Sequence, residues 1–170
     1  MSAEAGLARM TVLRYLEDGK LPGIPKDLPP ELMKKAAVFV SIKKEGRLRG
    51  CIGTFEPLYA SVAEEIMQNA LRSAISDPRF APLTVDEFSD VTFSVDVLGS
   101  VELIQDLSEL DSKKYGVLVR AGEKRGLLLP DLVGVDTVSE QIAIAKQKAG
   151  MEPEEICEIY RFLVKRYSEE

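Results

Sequence analysis

The most informative segment of the chain reads Arg47-Leu48-Arg49-Gly50-Cys51-Ile52-Gly53-Thr54-Phe55. The turn Lys44-Glu45-Gly46 joins it to a preceding apolar strand, which predicts a β-hairpin. Because side chains alternate along a strand, we expect Arg47, Arg49 and Cys51 to share one face, with Leu48 and Ile52 pointing into a core. Nearby guanidinium groups would favour the thiolate form of Cys51 and raise its reactivity.

The segment occurs twice in altered form. When the sequence is offset by 76 positions, the separation of Gly46 and Gly122, Arg49-Gly50 falls on Arg125-Gly126 and Cys51 falls on Leu127. The capping-box pattern Ser61-x-x-Glu64 falls on Thr137-x-x-Glu140. Turn, strand and cap signals therefore recur together, which favours an internal duplication.

Each copy reads as β-β-α-α-β, over approximately residues 37–104 and 115–167. The third strand of the first copy is expected at 91–97 and that of the second at 159–167. A helix over residues 3–18, with Leu7, Met10, Leu13 and Leu16 facing inward, precedes the repeats. Two such halves would share a core, so we predict a single α+β domain spanning 1–170.

The composition excludes several classes of function. The chain contains no histidine, so it cannot build a Ser-His-Asp triad, a Cys-His dyad or an ordinary zinc site by itself. Its two cysteines, Cys51 and Cys157, are too few to ligate an iron–sulfur cluster, and we predict no metal or other cofactor. A net charge of −6 disfavours nucleic acid as a partner. No apolar run is long enough for a membrane span and no signal peptide is visible, so we expect a cytoplasmic protein.

The chain resembles the AMMECR domain family over nearly its whole length. The resemblance rests on Leu48-Arg49-Gly50-Cys51-Ile52-Gly53, Asp77-Pro78-Arg79-Phe80, the run Arg125 to Pro130, Ile159-Tyr160-Arg161-Phe162, and the region from Tyr15-Leu16 to Pro22. It implies two structural repeats that form one barrel-like, mostly antiparallel sheet with flanking helices. Prokaryotic members are called AmmeMemoRadiSam system protein A, which implies Memo-type and radical SAM proteins as partners. No established reaction comes with the resemblance. The loop 131–136 is shorter here than in some relatives, which puts a site built on it in doubt.

Each candidate site residue also has a purely structural interpretation. Cys51 is either a nucleophile or covalent handle, assisted by Arg49, or a small residue that fills a crowded strand. The glycines of the hairpins either admit a ligand or allow close packing. These glycines are Gly50, Gly53 and Gly126. The other candidates for binding an anionic ligand are Arg79, Arg125, Asn69 and Asp77. The hairpin lysines, including Lys43, are better explained as solvated charges on strand edges.

Two functions follow from these alternatives. The first is an enzyme or enzyme subunit in which Cys51 reacts and Arg49, Arg79 and Arg125 hold an anionic substrate. Its general base would be a carboxylate, a lysine, water or a residue of a partner, since there is no histidine. The second is a non-catalytic adaptor for the Memo-type and radical SAM partners. A scaffold whose signature residues serve only packing is a third possibility.

Overall fold

The structure is a computed structural model that describes residues 1–169. The described chain contains three α-helices and eight strands, arranged in two antiparallel four-stranded sheets. The chain divides into two compact units. The first unit comprises residues 1–97 and the C-terminal residues from 165 onward, and the second comprises Leu98–Val164.

The first unit contains two helices and one sheet. Its helices are α1, Ala3–Asp18, and α2, Val62–Ile75. Its strands are β1, Val38–Lys44; β2, Arg47–Gly53; β3, Val91–Leu98; and β8, Val164–Ser168. The strand order is β2-β1-β3-β8, which leaves β2 at an edge.

Helix α2 packs between the first sheet and helix α1. Its apolar residues Val62, Ile66 and Ala70 are buried, and so are Val40 and Ile42 of β1. Leu7 of α1 is buried, while Met10, Leu13 and Leu16 are partly buried against the same core. The predicted helix 3–18 and its inward face are therefore confirmed, because apolar spacing of three and four residues forms one stripe on a helix.

A β-bulge in β2 changes which side chains share a face. Gly50 pairs with Ile42 of β1, but the next pair is Leu48 with Lys43, so Arg49 is an extra residue in β2. Cys51 lies opposite Ser41, on the face with Lys43 and Leu48, whereas Arg47 lies opposite Lys44 on the other face. The predicted common face of Arg47, Arg49 and Cys51 is therefore wrong, and Leu48 is 43% exposed instead of buried in the core.

The second unit contains one α-helix and one sheet. The helix is α3, Val138–Lys148. The strands are β4, Glu102–Leu103; β5, Gly116–Ala121; β6, Lys124–Leu128; and β7, Glu158–Phe162. The order is β4-β7-β5-β6, and α3 packs on β5 and β6. The core includes Val117, Val119, Leu128 and Ala145.

Both units contain a hairpin, a helix and a third strand that pairs antiparallel with the first strand of the hairpin. Ser61 caps α2 and Thr137 caps α3, each by accepting a backbone N–H three residues on. These arrangements match the predicted copies in part, because the second helix predicted in each copy is only the 3-10 turn Phe88–Asp90 in the first and, within residues 1–169, is not found before β7 in the second. A duplication as their origin stays a prediction.

Two predictions about the sheets are wrong. The strands form two separate sheets that do not close into a barrel. The strand predicted at 159–167 is interrupted at Leu163, which is 51% exposed. The part before Leu163 is β7 of the second sheet, and the part after it is β8 of the first. The apolar run Phe162-Leu163-Val164 contains no glycine, proline or polar residue, so the sequence pattern alone does not show that the chain changes sheets there.

None of the helices formed by residues 1–169 is long and apolar enough to cross a membrane.

Candidate functional site

The Cys51 side chain lies on the face of the first sheet that is turned away from α2. Gly50, its neighbour in β2, approaches the α2 backbone, so the alternating side chain of Cys51 points to the opposite face. Cys51 is half-buried. The Ser41 hydroxyl, directly across on β1, donates a hydrogen bond to Cys51 Sγ over 3.2 Å. A donor to sulfur favours the thiolate over the thiol.

The backbone of Cys51 is held at the outer edge of the sheet. Its N–H donates to Asp77 Oδ2 over 3.0 Å, and its carbonyl accepts from Arg79 Nη2 over 3.2 Å. Because β2 is an edge strand, these two backbone groups have no neighbouring strand to pair with. The Asp77-Pro78-Arg79 turn supplies one acceptor and one donor in its place.

Asp77 and Arg79 also form a two-pronged ion pair. Arg79 Nε and Nη2 lie 3.0 and 2.8 Å from the two carboxylate oxygens of Asp77. The hydrogen bond from the Arg79 side chain, followed by bonds from the backbone N–H groups of Cys51 and Arg79, holds the pKa of Asp77 well below its usual range despite burial. Asp77 is therefore ionised at neutral pH and is a poor general base. Its carboxylate is buried, whereas the Arg79 side chain is 55% exposed beside Cys51.

Arg49 is engaged by a different carboxylate. Its Nε and Nη2 bind Glu87 Oε1 and Oε2 at 2.7 and 3.0 Å. The Glu87 hydrogen bond raises the pKa of Arg49 and lowers that of Glu87. The Phe80 ring contacts both guanidinium groups, 5.8 Å from Arg49 and 5.5 Å from Arg79. The charge of Arg49 is thus largely offset by Glu87, and Arg79 is the more exposed cation near Cys51.

The two glycines of β2 have structural partners. A Cβ on Gly50 would lie 2.2 Å from the backbone oxygen of Ser73 in α2. A Cβ on Gly53 would lie 2.2 Å from the Phe39 ring, which covers it from β1. Both close approaches require glycine, and packing accounts for them. Binding of a ligand at these glycines stays a prediction.

The polar residues of α2 hold β1 and β2. The Asn69 amide donates to the Val38 carbonyl over 3.0 Å, and Asn69 Oδ1 has no hydrogen-bond partner among residues 1–169. Ser73 donates to the Val40 carbonyl and accepts from the Ile52 N–H. Asn69 is fully buried, and the visible contact is a structural one.

Arg125 and Gly126 lie on β6 of the second unit. Arg125 is exposed, and its partner across the hairpin, Arg120, binds Glu158 over 3.0 Å. A Cβ on Gly126 would lie 2.0 Å from the Ala145 oxygen of α3, so this glycine also admits a helix backbone. The structure thus brings together Cys51, Asp77, Arg79, Arg49 and Gly50 in the first unit. The proposed contribution of Arg125 to their site stays a prediction.

Three residues around this site were not singled out from the sequence. They are Ser41, which contacts the sulfur; Glu87, which pairs with Arg49; and Glu65 of α2. The Glu65 carboxylate is fully buried and accepts the backbone N–H groups of Leu58 and Tyr59, which fixes the loop after β2. A regular hairpin register would pair Ser41 with Gly50, so only the bulge at Arg49 places Ser41 opposite Cys51. Glu87 and Glu65 carry no local signal.

Two further observations concern the rest of the described chain. Residues 1–169 contain no group of three or more Cys, Asp or Glu side chains arranged to hold a metal ion. A groove of about 1210 Å³ lies in the second unit, between α3 and the segments at Leu107 and Met151–Pro153. Cys157 is half-buried in the same unit, and burial raises the pKa of its thiol, which agrees with a packing role.

Comparison with known proteins gives the family. The AMMECR1 family model matches residues 5–167. The chain belongs to the AMMECR1 family. A protein from Thermotoga maritima is 51% identical over 156 residues, which cover 90% of each chain. A crystal structure of an uncharacterised protein from Pyrococcus horikoshii superposes with a TM-score of 0.91 at 34% identity, covering 98% of this chain and 90% of that one.

One AMMECR1 relative is much longer. A Clostridium acetobutylicum protein is 47% identical over 165 residues, which cover 96% of this chain but only 35% of that protein. The AMMECR1 region there is joined to a further stretch of chain about twice its own length. The predicted family membership is confirmed, and none of these relatives carries a named activity.

Proposed function

We propose that this AMMECR1 protein acts, in the cytoplasm, through a reactive thiol at Cys51 that accepts an anionic small molecule. The observation that carries the proposal is the arrangement around the sulfur. Ser41 donates to it, and the guanidinium of Arg79, whose side chain is 55% exposed, is fixed beside it by Asp77. A hydrogen-bond donor and a nearby cation both favour the thiolate, which is the nucleophilic form.

The chemistry is nucleophilic substitution or addition at carbon. The thiol proton passes to water, because Asp77 is held ionised by Arg79 and no histidine is present. A sulfur electron pair then forms a bond to the electrophilic carbon. In a substitution the leaving group departs with the electron pair of the bond that breaks, and in an addition the π electron pair moves to the acceptor atom, which takes a proton from water. Arg79 would bind the anionic part of the substrate through its outward-facing N–H groups.

The test is alkylation of Cys51 by iodoacetamide as a function of pH, in a Cys157→Ser background so that one thiol reports. We expect Cys51 to react at lower pH than free cysteine in the same buffer. Ser41→Ala and Arg79→Met should slow the reaction at neutral pH. Arg47→Met is the matched control, because Arg47 lies on the same strand but on the other face. A Cys51 that reacts no faster than free cysteine, and is unaffected by either change, would remove the proposal.

A second candidate function is an adaptor without catalysis, which binds Memo-type and radical SAM proteins. The Clostridium acetobutylicum relative favours it, since an AMMECR1 region there is covalently joined to further sequence. Mixing the purified proteins should then give a complex of fixed stoichiometry by light scattering, which persists when Cys51 is replaced by Ala. Turnover of a small molecule by the isolated chain would exclude this function.

A further inference from the structure

The face of the first sheet that carries Cys51 has a square of four polar side chains next to it. Ser41 and Lys43 of β1 lie directly opposite Ser94 and Thr92 of β3. The intervening residues Ile42 and Phe93 are buried on the other face, so all four polar side chains project to the side of Cys51. Ser41 links the two features, because it is the cross-strand partner of both Cys51 and Ser94.

Three members of this square, Lys43, Thr92 and Ser94, line a hollow, which we call the Lys43 hollow. Its volume is about 390 Å³, and its polar lining comes from Lys43, Thr92, Ser94 and Ser168, with Glu45 and Gly46 of the turn at one side. Small-molecule sites have volumes of roughly 300–1,000 Å³ and a few convergent polar groups, so the Lys43 hollow is large enough for a small ligand.

The polar groups of the hollow are available to a ligand. Lys43 forms no close ion pair within residues 1–169, although its charge acts on the buried Asp96, two residues from Ser94 on β3. Neighbouring charges are paired: Lys44 binds Glu87 and Asp90, and Arg166 binds Asp96. Within the same described residues, the Thr92 and Ser94 hydroxyls form no hydrogen bond. One ammonium group and two hydroxyl donors thus face the same space. Glu45 also lines it and weakens the attraction for anions.

We infer that the Lys43 hollow binds an oxyanion, a phosphate or carboxylate group, of the molecule whose electrophilic carbon reaches Cys51. Lys43 supplies the charge, and Thr92 and Ser94 supply hydrogen bonds to the oxygens. Cys51 and Ser94 lie two strand spacings apart, and Thr92 lies two residues further along β3. The anionic group and the reacting carbon are therefore separated by about 10–12 Å. The oxyanion site follows from the hollow alone, and its link to the thiol rests on the proposed function.

The first experiment tests the oxyanion site without using the thiol. Inorganic phosphate and, separately, acetate are titrated into the isotopically labelled protein while amide chemical shifts are recorded. We expect saturable shifts at residues 43, 92 and 94, and Lys43→Met or a Thr92→Val/Ser94→Ala double variant should weaken binding about tenfold or more. Lys44→Met is the control, since Lys44 is adjacent but paired with carboxylates on the other face. The anion that binds more tightly, phosphate or acetate, shows which oxyanion the hollow prefers. Chemical-shift changes that do not saturate, or that are the same in the Lys43→Met variant, would contradict the proposed oxyanion site.

The second experiment tests its link to Cys51, again in the Cys157→Ser background. Iodoacetate and iodoacetamide differ in charge, so the ratio of their rates measures attraction of an anion to the thiol. We expect Lys43→Met or added phosphate to lower that ratio several-fold and Lys44→Met to leave it unchanged. If Cys51 reacts but the ratio of the two rates is unchanged by Lys43→Met and by phosphate, the link is overturned. A Cys51 that resists both reagents would defeat the proposed function and its link to the hollow, while the phosphate titration would still decide the oxyanion site.

Discussion

Asp77 and Arg79 hold the outward-facing backbone of Cys51 at the place where a further strand would pair. The sequence offered both residues as candidates for binding an anionic ligand, and the structure shows them bound to the N–H and the carbonyl of Cys51. The same contacts leave the sulfur to Ser41 and leave the Arg79 side chain partly exposed. A structural role and a chemical one are therefore compatible at this motif.

Replacing Asp77 by Asn should weaken the hold on Cys51. The change removes the negative charge that binds Arg79. It also replaces one carboxylate oxygen by an NH₂ group, which cannot accept a hydrogen bond from either of the two backbone N–H groups that Asp77 now binds. We expect a loss of about 1–3 kcal/mol in the free energy of unfolding, measured with urea. Asp86→Asn, at an exposed position, is the control. Equal stability of the two variants would contradict the edge role of Asp77.

Gly50 and Gly126 should be equally intolerant of a methyl group. An alanine at either position would place its Cβ within 2.2 Å of a helix carbonyl oxygen, from Ser73 or Ala145. Relief requires the helix to move off the sheet, so each change should cost about 1–3 kcal/mol in denaturant unfolding. Gly23→Ala, where a Cβ meets nothing within 4 Å, should be close to neutral. A tolerated Gly50→Ala would show that the packing does not require this glycine.

At the scale of elements, β8 is attached to the first sheet by a buried carboxylate. Asp96 of β3 is 1% exposed, and Arg166 of β8 binds it with Nε 2.7 Å from Oδ1. Burial raises the pKa of Asp96, and the Arg166 guanidinium acts in the opposite direction. The charge on Asp96 therefore depends on the partner that β8 supplies.

Arg166→Met should loosen β8 by leaving Asp96 buried without its cation. We expect a loss of about 1–3 kcal/mol and faster hydrogen exchange of the β8 amides, with smaller changes elsewhere in the first sheet. Combining it with Asp96→Asn should restore part of the stability, because the uncompensated charge is then gone. If the double variant is no more stable than Arg166→Met, the buried charge of Asp96 is not the cause of the lost stability.

At the scale of the whole molecule, paired carboxylates set the response to acid. The pKa values of Asp77 and Glu87 are lowered by Arg79 and Arg49, so both groups stabilise the folded chain when ionised. Their contribution is present above the unfolded-state pKa values of roughly 4 and is lost as the pH falls through the lower folded values. Asp96 acts oppositely, because its raised pKa favours the protonated folded form at low pH.

We therefore expect the free energy of unfolding to decrease as the pH is lowered below about 4. An Asp77→Asn/Glu87→Gln variant should show a shallower decrease, while Asp96→Asn should make the decrease steeper, since it removes a carboxyl whose pKa is raised. Urea titrations between pH 2 and 7 measure these slopes. An unchanged slope in the double variant would assign the acid sensitivity to other carboxylates.

The sequence alone indicated most of the elements and the family. The helix at residues 3–18, the two hairpins, the caps at Ser61 and Thr137, and the strand at 91–97 all have local causes in spacing, turn residues and capping side chains. The motif Leu48 to Gly53 identified the AMMECR1 family, which the model match confirms. These features depend on residues a few positions apart, so they can be predicted without knowing the fold.

Only the tertiary structure decided how those elements pair. The bulge at Arg49 moves Arg47 away from the face of Cys51, and the break at Leu163 sends β8 to the first sheet. Glu87 binds the Arg49 guanidinium, and Asp77 accepts a hydrogen bond from the Cys51 N–H. Each of these partners is more than 25 residues away in sequence. Register and partner choice are set by packing between distant segments, because strand alternation repeats every two residues and is the same in several alternative pairings.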